Sequence, residues 1–176
     1  MNHKTILSLF ATAFLVLAMG FNSFAHAQPN TKEEEKNLAV NKHLYAEVVN
    51  QGKLDLIDKF LSPHFVEHDT FPGLEPNREG VKQFFKMFRQ AFPDLNFKVE
   101  FTIAKGDKVV SYITTSGTQK GEFMGMSATG KKINVKTIDI IRFKNGVAVE
   151  HWGVTDGMAM MEQLGATNGP EEKSEK

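Results

Sequence analysis

The hydrophobic pattern along the first half of the chain predicts three amphipathic helices. Apolar residues recur at helical spacing through residues 32–50, in a shorter stretch at 54–61, and most regularly at 78–92. Asn77 precedes the third stretch as a predicted N-cap, and Pro93 is expected to end it. The third helix therefore offers a phenylalanine-rich face for packing, formed by Val81, Phe84, Phe85, Phe88 and Phe92.

The second half of the chain changes to a period of two, which predicts β-strands. Strands are expected at 96–104, 109–118, 133–143 and 147–155, and a final helix at 157–164. Helices that precede a run of hairpin-connected strands indicate an α+β fold. In such a fold the helices pack on one face of an antiparallel sheet.

The two ends of the chain differ in composition from the residues between them. Residues 1–27 combine an apolar run with a final Ala-His-Ala, which is typical of a secretory signal cleaved between Ala27 and Gln28. Residues 166–176 are polar and charged and are predicted to form a disordered tail. The folded domain is therefore expected to span 28–165 and to reside in the periplasm or outside the cell.

The charge balance excludes several classes of partner. The whole chain has 21 basic and 21 acidic residues, and its first 27 residues hold one of the basic residues and none of the acidic ones. A near-neutral mature chain without a basic block argues against nucleic acid or a membrane surface as a partner. The chain also contains no cysteine, so it forms no disulfide and has no cysteine nucleophile.

The hairpin formed by the last two predicted strands brings an aspartate close to a histidine. A two-residue turn, Asn145-Gly146, is one way to close it, but this register mixes polar with apolar residues on one face. A three-residue turn that ends at Gly146 keeps one face apolar except for Asp139 and His151, which then stand directly opposite each other. Opposite residues have Cβ atoms about 5 Å apart. This register therefore predicts a hydrogen-bonded Asp139–His151 pair on the core-facing side of the sheet.

An aspartate beside an imidazole allows two interpretations. The pair suits general acid–base catalysis, in which burial raises the pKa of the carboxylate and keeps the imidazole neutral. It is equally a satisfied polar contact within a core. Asp156 follows the same strand and precedes the last helix, so we interpret it as an N-cap and keep it as a secondary site candidate.

A second cluster of polar residues precedes the third helix. His64, Glu67, His68 and Asp69 lie close together in the sequence. In an extended segment the two histidines share a face and could bind zinc together with His151, but the segment has no helical HExxH motif. We therefore expect no metal. We expect His68 to point into a pocket, with Glu67 as a secondary candidate.

Apolar residues outside the helices indicate a pocket and an interface. Phe123 and Met124 lie in a glycine-rich connection and suit an apolar lip over a cavity mouth. The outer face of the last hairpin carries an apolar patch large enough to need a partner. The simplest partner is a second copy of the chain. The predicted homodimer face consists of Ile138, Ile140, Trp152 and Val154.

Several stretches of the chain resemble one known family. In order they are NKHLYAEVVNQGKLDLIDKFLSPHFVEHD, AFPDLNF, KGDKVV, GEFMGMSATGKKI, IDIIRFKNGVAVEHWGVTD and the final QLG, from Asn41 to Gly165. They are similar to the SnoaL-like polyketide cyclases, or ester cyclase family, within the NTF2-like superfamily. The resemblance implies a cone-shaped α+β barrel, with N-terminal helices packed on a strongly curved antiparallel sheet. It also implies one apolar pocket, a dimer, and activity without metal or organic cofactor.

The resemblance assigns expected roles to some positions. Family cyclases close a polyketide ring by intramolecular aldol addition, with pocket aspartate and histidine side chains moving the proton. The resemblance aligns His151 with a pocket histidine, Asp139 with another polar pocket group, and Gly153 with the acid–base aspartate. Gln119 stands where relatives commonly have a histidine. The pocket is therefore expected in the same place with altered chemistry, lined by Tyr45, Phe65, Phe84, Phe88, Tyr112, Phe123, Met124 and Gly153.

The residues and the resemblance together lead to one expected function and two alternatives. We expect an exported, cofactor-independent enzyme of cyclase, isomerase or lyase type that acts on a small apolar carbonyl or ester compound. Asp139 would act as the base or orient His151, and His151 would polarise or protonate the developing enolate oxygen, with His68 as a third catalytic candidate. The alternatives are a periplasmic protein that binds a small hydrophobic ligand without catalysis, and a dimerisation module with a vestigial pocket.

Overall fold

The computed structural model describes residues 29–166. The predicted signal, residues 1–27, and the predicted tail, residues 166–176, lie outside this range except for Ala166. Within the described range, no helix combines the length and the apolar character needed to cross a membrane. The helices are α1 (Lys32–His43, continued by the π-helical segment Leu44–Asn50), α2 (Ile57–Phe60, preceded by the 3₁₀ turn Leu54–Leu56), α3 (Arg78–Ala91) and α4 (Gly157–Leu164). The strands are β1 (Leu61–Glu67), β2 (Asn96–Lys105), β3 (Lys108–Thr118), β4 (Lys132–Lys144) and β5 (Val147–Thr155).

Side-chain caps fix where the longer helices begin. The Asn77 side chain accepts hydrogen bonds from two backbone N–H groups of α3, at 2.9 and 3.1 Å. Asp156 accepts one from α4 at 3.0 Å. Both predicted N-caps are confirmed. Gly165 follows α4 in the left-handed conformation, which glycine adopts without steric cost.

The five strands form one open, mixed sheet in the order β1-β5-β4-β3-β2. The four predicted strands, β2 to β5, pair antiparallel as expected. The additional strand β1 is not evident from the sequence pattern, and it joins β5 in parallel orientation. This pairing places Glu67 beside His151, so the additional strand contributes directly to the site described below.

The buried apolar residues form two clusters between the helices and the sheet. In the first cluster the phenylalanines of α3 pack against neighbouring rings, with Phe88 close to Phe97 and Phe92 close to Phe123. The second cluster joins the π-helical segment and α2 to Phe143 and the end of the sheet near it. Residues of both clusters line one cavity, so the packing of the core also shapes the candidate site.

The inner face of α1 is polar. Asn37 and Asn41 are each only 1% exposed, and the Asn41 amide donates to the Ser111 hydroxyl of β3 at 3.0 Å. Glu34 is also buried and accepts a hydrogen bond from the Gly106 backbone at 2.7 Å. The Asn37 side chain has no hydrogen-bond partner among the described residues. Hydrogen bonds from Glu34 and Asn41 therefore contribute to the contact of α1 with β3 and the β2–β3 turn.

The register of the β4–β5 hairpin differs from the prediction. The turn consists of two residues, Asn145 and Gly146, with φ of 56° and 78°, as favoured by the twist of a hairpin. A bulge next to the turn then shifts the pairing, so Asp139 lies opposite Gly153 instead of His151. The predicted three-residue turn is wrong. The difference of two residues still leaves Asp139 and His151 on the same face, because side chains alternate with a period of two.

Candidate active site

A cavity of about 330 Å³ lies between the helices and the inner face of the sheet. Its walls are mostly aromatic and aliphatic, and its polar side chains gather where β4, β5 and the end of β1 meet. An apolar cavity with a few convergent polar groups is typical of a small-molecule site. Seven of the predicted lining residues do line it: Tyr45, Phe65, Phe84, Phe88, Phe123, Met124 and Gly153.

Asp139 and Tyr45 form a buried hydrogen bond in this cavity. Asp139 is 8% exposed, and the Tyr45 hydroxyl donates to its Oδ2 at 2.8 Å. Tyr45 comes from the π-helical segment, a wide turn of a kind often found at functional sites. Burial and the neighbouring Asp139 charge raise the pKa of Tyr45 well above its ordinary value of 10.0. The phenol therefore stays protonated and continues to donate.

His151 lies between two carboxylates. Its Nδ1 is 2.8 and 2.9 Å from the two oxygens of Glu67, and its Nε2 is 3.4 Å from Oδ1 of Asp139. Burial by itself lowers the pKa of the imidazole, but the hydrogen bonds and charges of Asp139 and Glu67 outweigh it and raise the pKa from 6.5 to about 10. His151 is therefore an imidazolium at neutral pH. The predicted neutral imidazole is wrong, because the second carboxylate was not expected.

Gly153 leaves the space in which His151 approaches Asp139. A Cβ atom at Gly153 would lie 2.9 Å from Cε1 of His151 and 3.0 Å from Oδ1 of Asp139, both closer than an ordinary contact. The Gly153 backbone N–H donates to Oδ2 of Asp69 at 2.7 Å. Position 153, which the resemblance aligns with an aspartate, is thus a glycine in this chain. The carboxylate of Asp69 lies beside it.

His68 lies outside the cavity, so the prediction that it points inward is wrong. Its ring stacks on Trp152 with a centroid distance of 4.5 Å and an interplanar angle of 3°. Its Nε2 is 3.8 Å from Oε2 of Glu150. Neighbouring residues of an extended segment point to opposite sides, and the pairing of β1 with β5 turns Glu67 inward. The secondary candidate Glu67 therefore takes the inner position.

Two other predicted site residues also lie elsewhere. Tyr112 stacks on Phe101 with a centroid distance of 5.2 Å, and both lie on the outer face of the sheet. The prediction that Tyr112 lines the pocket is wrong, because the inward positions of β3 are its odd-numbered residues. Gln119 is fully buried, but it accepts a hydrogen bond from the Thr129 hydroxyl at 2.6 Å. It therefore braces the β3–β4 connection and is not part of the cavity lining.

Two groups at the polar end of the cavity were not predicted as site residues from the sequence. One is Asp69, which lines the cavity beside Gly153. The other is a row of hydroxyls from three adjacent strands, Thr115, Thr137 and Thr155, with oxygens 3.0 and 3.1 Å apart. The inward, odd-numbered positions of these threonines on predicted strands are the sign that could have pointed to them.

No metal-binding arrangement is present in the described part of the chain. Residues 29–166 contain no group of three or more His, Asp or Glu side chains placed to hold one ion. The histidines considered as zinc ligands cannot meet at one ion, because His68 lies on the outer face of the sheet and His151 on the inner face.

The outer face of the sheet exposes apolar side chains. Of the four predicted interface residues, Ile138 is 46% and Val154 is 71% exposed, whereas the other two are half-buried. Phe101 and Ile103 on β2 extend the exposed apolar surface. Exposed apolar side chains therefore occur on β2, β4 and β5 of this outer sheet face.

The chain matches the family model described as SnoaL-like polyketide cyclase over residues 39–164. Among solved structures, it is similar to TsrD from Streptomyces laurentii, with 26% identity over 79% of this chain and 99% of that chain and a TM-score of 0.66. It is also similar to IdmH from Streptomyces antibioticus, with 30% identity over 73% and 98% of the two chains and a TM-score of 0.64. A SnoaL-like polyketide cyclase from Agrobacterium tumefaciens shares the fold at 19% identity, with 77% and 100% coverage and a TM-score of 0.61. No curated protein matches significantly. The polar end of the cavity lies within the matched residues.

Proposed function

This chain belongs to the SnoaL-like polyketide cyclase family, and on that basis we propose that it is a cofactor-independent enzyme of cyclase, isomerase or lyase type. Its substrate is a small, largely apolar carbonyl or ester compound. The observation that carries the proposal is the row Tyr45–Asp139–His151–Glu67 at the end of an apolar cavity, with successive contacts of 2.8 to 3.4 Å. A carboxylate, a phenol and an imidazolium in direct contact supply the groups for general acid–base chemistry.

Asp139 acts as the base in this mechanism. Its Oδ2 accepts the Tyr45 hydroxyl, whereas its Oδ1 has only the longer 3.4 Å contact with His151. Oδ1 is therefore the atom that takes a proton from the carbon next to the substrate carbonyl. The electron pair of the broken C–H bond moves into the carbonyl group to give an enolate, and Asp139 becomes a neutral acid.

His151 stabilises the enolate oxygen. Its Nδ1 is held by Glu67, and its Nε2–H, weakly held at 3.4 Å from Asp139, can turn to the developing negative charge. A positive group at this place contributes strongly, because the rest of the cavity wall is mostly apolar. The enolate then attacks a second carbonyl of the same substrate or takes back the proton at another carbon. Asp139 returns the proton in either case, and no co-substrate is consumed.

The second candidate function is binding of a small hydrophobic ligand without catalysis. The predominance of aromatic and aliphatic side chains in the cavity wall favours it. In that case the Tyr45–His151 end of the cavity orients a ligand oxygen and does not move a proton.

Deuterium exchange distinguishes the two candidates. The probe is 2-tetralone, a bicyclic ketone, incubated in D₂O while the loss of its α C–H signals is followed by proton NMR. We expect wild type to accelerate the exchange, and Asp139→Asn to reduce that acceleration at least about a hundredfold. Asp107→Asn is the control, because Asp107 lies in the β2–β3 turn, outside the cavity, and pairs with Lys108. Binding of the probe without acceleration supports the second candidate, and an unchanged rate in Asp139→Asn excludes this residue as the base.

The proposed location is the periplasm or the exterior of the cell. The support is the signal-like composition of residues 1–27. Expression in a bacterium should yield a protein whose intact mass corresponds to a chain that begins at Gln28. A purified protein that still begins at Met1 would contradict export by signal cleavage.

The proposed partner is a second copy of the chain, bound through the outer sheet face. The support is the exposed pair Ile138 and Val154, which lie opposite each other on β4 and β5 and would be covered by the same face of the other copy. We expect wild type to sediment as a dimer and Ile138→Asp as a monomer. Met158→Asp, which changes a 77% exposed residue of α4, should remain a dimer. A monomeric wild type at micromolar concentration would contradict the proposal.

A further inference from the structure

The side chains that line the cavity carry an excess of negative charge. Three carboxylates, those of Glu67, Asp69 and Asp139, meet at its polar end, Glu75 adds a fourth carboxylate to the lining, and His151 is the one basic side chain among the lining residues. No lysine or arginine lines the cavity anywhere in residues 29–166. Even with His151 as an imidazolium, the polar end therefore keeps an excess of two negative charges.

Three cations on elements that contribute to the cavity wall pair with carboxylates that do not line it. Arg78, at the start of α3, lies with its Nε 3.0 Å from Asp58, and Lys82 lies 2.9 Å from the same carboxylate. Arg142, on the outer side of β4, binds Glu150. None of these three cations is among the cavity-lining residues, so they do not neutralise its polar end.

Asp69 is a cavity carboxylate that does not belong to the row Tyr45–Asp139–His151–Glu67. Its Oδ2 accepts the Gly153 N–H at 2.7 Å, which fixes the carboxylate beside the row without placing a cation on it. Two residues further on, the Phe71 ring packs against Phe84 at 5.8 Å and against Phe123 at 6.2 Å between centroids, and all three rings line the cavity. The Asp69 carboxylate and these rings thus line one cavity, and aromatic faces and carboxylates are the groups with which proteins hold ammonium ions.

We propose that the substrate of this site is an apolar carbonyl compound that carries a protonated amine, with the ammonium group held by Asp69 and the Phe71 ring. The inference rests on the proposed function, since it concerns the same cavity, and it adds the charge of the substrate. The aromatic walls take the carbon skeleton, the carbonyl reaches Asp139 and His151, and the amine lies toward Asp69. Carboxylic acids and phosphates are rejected, because they would enter a cavity whose charge has the same sign as their own.

Three probes with one carbon skeleton test the charge preference: 2-naphthylmethylammonium, 2-naphthylmethanol and 2-naphthoate. Their dissociation constants are measured by calorimetry at pH 7. We expect the ammonium to bind about tenfold tighter than the alcohol and the acid about tenfold weaker, as for one unit charge a few ångströms away in a partly solvated site. The preference should fall as salt is added, because ions screen the attraction.

Asp69→Asn is the variant that isolates the carboxylate. Asparagine keeps an oxygen that accepts the Gly153 N–H and removes the charge. It should weaken ammonium binding about tenfold and leave binding of the alcohol unchanged. Asp107→Asn, an isosteric change of an exposed carboxylate outside the cavity, should alter neither.

The outcomes separate this inference from the proposed function. Equal binding of ammonium and alcohol, or tightest binding of the acid, overturns the charge preference, while deuterium exchange on 2-tetralone can still support acid–base chemistry. An Asp69→Asn variant that keeps the full ammonium preference overturns the role of Asp69. If ammonium binding follows the expected order but no exchange occurs, the charge preference stands and the enzymatic proposal fails. If wild type binds none of the probes, the cavity is not a site for such ligands and the inference is overturned.

Discussion

Replacing Gly153 by alanine tests whether the contact between His151 and Asp139 depends on an absent side chain. Gly153 is not among the residues with positive φ, so alanine fits its backbone. The added Cβ would lie 2.9 Å from Cε1 of His151 and 3.0 Å from Oδ1 of Asp139, where ordinary carbon contacts are about 3.5–4.0 Å. The ring must therefore retreat by roughly 0.5–1 Å, which lengthens a contact that is already 3.4 Å.

The magnitude of the effect follows from the loss of one charged contact. A hydrogen bond to a charged group contributes about 1.5–3 kcal/mol, whereas alanine in place of a strand glycine by itself stabilises by about 0.5–1 kcal/mol. Gly153→Ala should therefore lower the free energy of unfolding by about 1–2 kcal/mol at pH 7. The pKa of His151 should fall from about 10 by roughly 1–2 units, since one unit corresponds to about 1.4 kcal/mol.

Two measurements on the same variant check the argument. NMR titration of the His151 ring gives its pKa, and urea unfolding gives the free energy of unfolding. Gly157→Ala is the matched control, because a Cβ at Gly157 meets nothing within 4 Å. A His151 pKa that stays near 10 in Gly153→Ala, with a stability equal to that of the control, would refute the idea that Gly153 makes room for the contact.

Three further predictions concern other buried groups. The folded-state pKa of His151 is raised from 6.5 to about 10, so its stabilising contribution, at most about 5 kcal/mol, is fully present below pH 6.5 and is lost as the pH rises through 10. Between these pH values, urea unfolding should show a larger fall in the free energy of unfolding for wild type than for His151→Gln. Equal falls would contradict this expectation. Tyr45→Phe removes the donor that holds Asp139 and should lower the unfolding free energy by about 1–3 kcal/mol and slow deuterium exchange; unchanged exchange would show that the phenol does not position the base. Asn37→Leu should raise the unfolding free energy by about 1 kcal/mol, because the buried Asn37 amide has no partner among residues 29–166; destabilisation in thermal or urea unfolding would sink this expectation.

The alternation of side chains in the β4–β5 hairpin explains why the proximity of Asp139 and His151 could be predicted. Asp139 and His151 share the inner face in any register that differs by two residues, so their proximity follows from the sequence pattern. The bulge that places Asp139 opposite Gly153 has no comparable signature. The space left by Gly153, and the diagonal contact that depends on it, could therefore be learned only from the structure.

Two errors about the site, the position of His68 and the charge of His151, trace to β1. Residues 61–67 include Pro63, which disfavours a strand, and the partner of this strand lies far along the chain. Which residues of β1 face inward is set by its pairing with β5 and not by its own alternation. The choice of His68 over Glu67 was wrong for this reason. Without Glu67 as a second carboxylate, the sequence also led to the wrong charge for His151.

The row of acid–base groups joins parts of the chain that are far apart in sequence. Tyr45 and Asp139 are separated by 94 residues, and Glu67 and His151 by 84. Contacts between such distant residues form late in folding, because the entropy of closing a long loop must be overcome first. The hairpins from β2 to β5 can form from neighbouring segments, but β1 has no partner until β5 has emerged at the end of the domain. The proposed signal implies that the chain leaves the cytoplasm unfolded. The acid–base row would then form only after transport, in the same slow step in which β1 pairs with β5.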